Sequence, residues 1–159
     1  MTDLLALLQE FHRDKLATTL RHEAGARLVG QYDFNNTYQY IINREDVQLS
    51  WLAAAIADLG GQVTDRVDVP LIEGSRDGAH TVIEADAREA HAFVERWRPR
   101  VEAMTNARHR GMLRVILGET LEQKRFFEQA LAGRTDLLGK RAEQIGPPVG
   151  EVLPTRWVE

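Results

Sequence analysis

Ile41-Ile42-Asn43-Arg44-Glu45-Asp46-Val47-Gln48-Leu49-Ser50-Trp51-Leu52-Ala53-Ala54-Ala55-Ile56-Ala57-Asp58-Leu59, closed at once by Gly60-Gly61, is the stretch on which the fold turns. Stepping Ile41, Glu45, Gln48, Leu52, Ile56 and Leu59 advances by four, three, four, four and three residues, the spacing of one helical face. The paired glycines then stop the helix. Glu45 and Gln48 therefore stand inside an apolar row. A carboxylate buried in that way needs a cation, a metal or a proton to balance it.

The same period extends outward in both directions. This second helix opens near Asn35 or Asn36, where Asn36-Thr37-Tyr38-Gln39 resembles a capping box. Before it, a first helix is expected from about Thr2 to Gly30 on a stripe of Leu4, Leu5, Leu8, Phe11, Leu16, Leu20 and Leu28. His12 lies between Leu8 and Leu16 at i,i+4 steps and faces inward, whereas His22-Glu23 and His91 are expected at the surface. After the glycines, Gln62 to about Thr81 contains Pro70, Gly74 and Gly78 and reads as a long crossover, with Val67-Asp68-Val69 too short to support a sheet. A third helix is expected over Val82–Met104, with Pro99 predicting a kink or local break, and a fourth over Ala107–Leu131, ended by Gly133. Thr135 or Asp136 then caps a short fifth helix to Gln144. The organisation is thus an all-α bundle over residues 1–145 with its crossover at about 60–81, followed by an extended tail at 146–159. Two helical hairpins joined by one long connection allow the second and third helices to run parallel.

Composition narrows the chemistry. The 159 residues include five histidines and no cysteine, so disulfides, thiolate-bound metals and thiol nucleophiles are excluded, and any metal must be held by His, Asp and Glu. Twenty basic against 24 acidic residues give a net charge of −4, which argues against a nucleic-acid surface. The opening Met1-Thr2-Asp3-Leu4-Leu5-Ala6-Leu7-Leu8-Gln9-Glu10 lacks a basic start and has too short an apolar run for a signal peptide or a membrane span, so a cytoplasmic setting without a membrane partner is expected. No phosphate-binding glycine loop or serine-hydrolase elbow occurs. Arg96-Trp97-Arg98-Pro99-Arg100 and Arg108-His109-Arg110 concentrate positive charge around the third turn, either as solvated helix ends or as a surface for an anionic partner. Trp157 in the tail needs an apolar surface, on this chain or on a second copy in a homo-oligomer.

Helix two also carries a motif. Glu45-Asp46-Val47-Gln48 resembles the Glu-x-x-His of ferritin-like di-metal carboxylate proteins, with Gln48 in the His place, and Glu122-Gln123-Lys124-Arg125 resembles the second such motif, with Arg125 in the His place. In that family a Glu from each of two helices and a Glu-x-x-His from each of the other two converge on two metals. Glu89 and Glu122 stand 33 residues apart (122 − 89) about a plausible turn at Thr105-Asn106, which would set them level across the second hairpin. His12 and Glu45 share that separation (45 − 12 = 33), although a turn nearer Tyr32-Asp33 would instead set Thr19, Leu20 or His22 level with Glu45. The resemblance, over about Leu4 to Leu131, implies a ferritin-like four-helix bundle with Glu45, Glu89, Glu122 and His12 as its metal ligands.

The two replacements alter that chemistry. Gln48 offers only a neutral oxygen, a poorer ligand for iron or manganese than imidazole, and Arg125 cannot coordinate at all. The expectation is an arginine–carboxylate network, with Arg125 pointing inward, in a degenerate metal space, and a binding or structural role with no cofactor. Two alternatives remain at this point: a carboxylate-rich oxidoreductase that keeps iron or manganese, and a helical protein-interaction module that uses the basic turn and the Trp157 tail.

Overall fold

In a computed structural model, which describes residues 2–64, 66–67, 78–134 and 137–138, the chain forms four helices: α1 (Thr2–Ala26), α2 (Tyr32–Asp58), α3 (Gly78–Glu102) and α4 (Ala107–Leu131). The expected fifth helix and extended tail, Trp157 included, lie outside the described residues. No helix is long and apolar enough to cross a membrane among the described residues.

Local chemistry sets most of the ends. Gly60 takes φ +81° after α2; its N–H bonds Ala57 O while Gly61 N–H bonds Ile56 O, a Schellman termination that a Cβ at Gly60 would strain. Gly133, at φ +99°, repeats the arrangement after α4 through Ala130 O and Gln129 O. Asn106 caps α4 by accepting from His109 N–H at 3.0 Å. At α2 the expected capping box is not used. The helix starts earlier, with Gln31 Oε1 accepting from Phe34 N–H, and the Asn35 side chain instead donates to Ala26 O and Val29 O at the end of α1. Helix α3 starts at Gly78, ahead of the expected Val82, and runs through Pro99. Pro99 has no N–H to offer the Glu95 carbonyl, so α3 passes through it with one intrahelical bond fewer than a regular turn.

Helices α1 and α2 form one antiparallel hairpin and α3 and α4 the other; α1 also packs on α3 and α2 on α4, while α1–α4 and α2–α3 are the diagonals. Glu10 pairs with Arg100 and Asp14 with Arg96, while Tyr40 meets Phe126 and Arg44 meets Glu119; each series runs in opposite chain directions, so α1 is antiparallel to α3 and α2 to α4. Helices α2 and α3 are consequently parallel, as a connection spanning the bundle requires.

The core comes in two halves. One holds Leu8, Phe11, Leu52, Ile56, Phe93, Trp97 and Leu113, where Phe11 meets the Phe93 and Trp97 rings edge-on. The other holds Val29, Phe34, Tyr38, Ile41, Val82 and Phe127. Between them the helices bury polar side chains: Lys15, Thr19 and His22 from α1, Glu45 and Gln48 from α2, Asp86 from α3, and Thr120 and Gln123 from α4.

Candidate functional site

These polar residues follow the seam of the bundle. Leu8, His12, Lys15, Thr19, His22 and Ala26 alternate by four and three along α1, and all six are buried. Tyr38, Ile41, Glu45, Gln48 and Leu52 do the same along α2, as do Leu113, Ile116, Thr120, Gln123 and Phe127 along α4. The 4–3 rhythm that makes an apolar seam at each end brings a polar layer to its middle.

Glu45 is the hub. Its side chain is 0% exposed, its Oε1 lies 2.6 Å from His22 Nδ1, and its Oε2 lies 3.2 Å from Lys15 Nζ. Lys15, also 0% exposed, is 3.4 Å from Thr120 Oγ1 across the α1–α4 diagonal, and its ammonium lies 5.2 Å from the centre of the Phe93 ring. Burial would drive the Glu45 carboxyl above its ordinary range, but His22 and Lys15 overcome this and hold it below. Burial likewise opposes a charge on His22, yet the Glu45 charge and hydrogen bond hold the imidazole pKa above 6.5. Both halves of the pair therefore favour a protonated His22 beside an ionised Glu45. The rings of Tyr38 and Phe127, with centroids 6.1 and 5.5 Å from that of His22, close the pocket around it.

A second carboxylate crosses the other diagonal. Tyr38 donates its hydroxyl to Asp86 Oδ2 at 2.5 Å, and Arg21 lies 3.7 Å from Asp86 Oδ1. Burial pushes the Asp86 carboxyl up, with His22, Tyr38 and Arg21 offsetting part of that. Burial and the Asp86 charge also push the Tyr38 hydroxyl well above its ordinary range, so it remains a donor. The side-chain amide of Gln48, through both Oε1 and Nε2, and the Gln123 Oε1 complete the layer without a hydrogen-bond partner among the described residues.

The structure distributes the expected metal ligands differently. Glu45 and Gln48 are buried as their row predicts. His12 is buried on the α1 seam, but the α1 residues paired with Glu45 are Lys15 and His22, so the turn lies where the second spacing alternative needs it. His22 is thus interior, against the expectation of a surface position. Glu89 is held by Arg96 at 3.3 Å and Glu122 by Arg125, so these two carboxylates pair with cations of their own helices. Arg125 is 54% exposed and does not point inward; the cations beside Glu45 are Lys15 and the protonated His22, and the inward i,i+3 pair of α4 is Thr120 and Gln123. Arg44 also leaves Glu45 free for the layer, because it grips Glu119 on α4 with two hydrogen bonds of 2.7 and 3.0 Å.

This donor set does not suit a divalent metal. The hub carboxylate already has an ammonium on one oxygen and an imidazole on the other, and Lys15 would repel a second cation. No group of three or more His, Asp or Glu side chains is placed to hold a metal among the described residues. The surface clefts along α1 reach Asp14 and Ala17 but not Lys15, His22, Glu45 or Asp86. The layer is therefore suited to internal charge compensation.

The fold and layer together define an all-α four-helix bundle with a salt-bridged polar interior. No family model, curated protein or solved structure matches the chain.

Proposed function

We propose that this chain is a ferritin-like bundle in which a lysine has taken the place of metal charge, and that it works as a binding or structural protein rather than as an oxidase. The observation that carries this reading is Lys15 Nζ at 3.2 Å from Glu45 Oε2, with both side chains fully buried. An ammonium built into the chain balances the carboxylate that the resemblance would assign to a metal. Helix order supports the ferritin-like part, as does the matched placement of Glu45-x-x-Gln48 and Thr120-x-x-Gln123 on the two seams. A cytoplasmic setting belongs to the same reading.

The test is metal content. Protein purified without chelator, then exposed anaerobically to excess ferrous iron or manganese and desalted, is expected to keep less than about a tenth of an equivalent, because the site has no free anionic donor set. Near-stoichiometric iron or manganese that is lost in a Glu45→Gln variant would overturn the reading and restore the oxidoreductase alternative.

A further inference from the structure

A cleft of about 520 Å³ runs between α1, α3 and the start of the crossover. Its wall is more basic than the chain that carries it. Among the described residues, Arg13, Arg66, Arg96 and Arg100 face Glu10 and Asp14 there, a surplus of two positive charges on a chain of net charge −4.

The four arginines are not equivalent. Arg96 is held by Asp14, with Nη2 at 2.8 Å and Nε at 3.0 Å from Oδ2, and that same oxygen accepts the Trp97 indole N–H at 2.6 Å. Arg100 is paired with Glu10 and lies over the Trp97 ring, 4.5 Å from its centre. These contacts compensate both charges and make a fixed wall. Arg13 and Arg66, by contrast, have no ion pair or hydrogen bond among the described residues, although they come from different elements and line one cleft.

Gln9 Nε2 donates to Gln62 O at 3.0 Å, Gly61 sits against Leu5, and Val63 packs on the adjacent half of the core. The chain leaving α2 is thereby fastened along α1 before it reaches Arg66. Val67, Ala17 and Trp97 add an apolar floor beside the guanidinium groups.

We propose that this cleft binds a small organic oxyanion, its phosphate or carboxylate group held by Arg13 and Arg66 and its apolar body against Val67, Ala17 and Trp97. Guanidinium groups match both oxyanions in a two-pronged geometry, so the shared chemistry defines the ligand class. The site is independent of the metal question, since none of the layer's ion-paired residues lines it.

Phenyl phosphate, phthalate and inorganic phosphate serve as probes, with the Trp97 indole N–H and the Arg13 side chain followed by NMR at low salt. Phenyl phosphate or phthalate is expected to shift both signals saturably below about 10 mM, the tighter of the two assigning phosphate or carboxylate as the preferred head group. An Arg13→Gln/Arg66→Gln double variant, which removes no ion pair or hydrogen bond among the described residues, should weaken this binding at least about tenfold. An Arg98→Gln/Arg108→Gln control removes the same charge outside the cleft and should change it less than about twofold. Absence of saturation with either organic probe overturns the proposal. Equal weakening in the control would reduce the effect to diffuse surface charge, and inorganic phosphate binding as tightly as phenyl phosphate would remove the apolar part of the site; either result also overturns it.

Discussion

At the scale of single residues, Lys15 and His22 bear most directly on the polar layer. A fully buried ion pair is often no more stabilising than an apolar pair of the same size, but removing one partner strands the other charge. Lys15→Met leaves the buried Glu45 with His22 as its remaining ion-pair partner and is expected to cost about 3 kcal/mol in urea unfolding, while adding Glu45→Gln removes the carboxylate, lets His22 become neutral and should recover at least about half. If the double variant is as unstable as the sum of the two single variants, Lys15 and Glu45 are not coupled. The pH dependence follows from the same contacts. His22 has its folded pKa above the ordinary 6.5, so its contribution is complete below that value and is lost as pH rises through the folded pKa. Glu45, lowered from 4.5, contributes above that value and loses stability as pH falls through its folded pKa. Asp86, raised from 3.8, opposes Glu45 on the acid side, which leaves the alkaline limb as the clean signal. Urea midpoints should thus fall as pH rises above 6.5 and through the raised His22 pKa, and His22→Gln should flatten that limb. An unchanged slope in the variant would mean that the His22–Glu45 pair does not set it.

At the scale of elements, all four helices are legible in the sequence, because apolar residues recur with the helical period and glycines close α2 and α4. The inward side of each helix is less so. On α1 the row Leu8, His12, Leu16, Leu20 drifts off the seam, which follows Lys15, Thr19 and His22, three polar residues in succession that look like a solvent face. On α4, Val115 and Leu121 are exposed while Ile116 and Leu117 are buried, so apolar residues on both sides hide the inward pair Thr120 and Gln123 and draw attention to Glu122 and Arg125. The seam spacing could have placed Lys15, His22, Thr120 and Gln123. What it does not contain is the ion pairing, which depends on helices meeting across the interior. The helices also make an element-scale prediction through their glycines. A Cβ at Gly118, in the middle of α4, would meet nothing within 4 Å, so Gly118→Ala should stabilise by about 0.5–1 kcal/mol through helix propensity and a less flexible unfolded chain. At Gly61 a Cβ would lie 2.5 Å from Leu5 Cδ1 and 3.2 Å from Ile56 Cγ2, so Gly61→Ala should lower stability instead. Thermal unfolding of the two variants checks the opposite signs, and a loss at Gly118 would show that its face of α4 is not open in solution.

For the whole molecule, the layer makes the two halves of the core distinguishable. Helices pack closely within each hairpin and at fewer points between hairpins, the diagonals do not touch as backbones, and polar groups reach across both: Lys15 to Thr120 and Tyr38 to Asp86. A hairpin that slid by one heptad would carry Glu45 into the packing of Leu52 or Tyr38 and leave Lys15 and His22 without their carboxylate. The cost of that slip, several kcal/mol for an unpaired buried charge, is larger than the difference between two apolar packings of similar volume. The layer thus acts against wrong registers more than in favour of stability. Replacing its hub with apolar residues, in a Lys15→Met/His22→Leu/Glu45→Leu variant, is accordingly expected to keep or raise the urea midpoint while making the apolar seam continuous from end to end. The variant should retain its far-UV helicity yet lose dispersion in its amide and methyl NMR spectra, as several registers become close in energy. A variant with fully dispersed spectra and a single set of signals would show that side-chain packing in the two apolar halves, rather than the charged layer, selects the register.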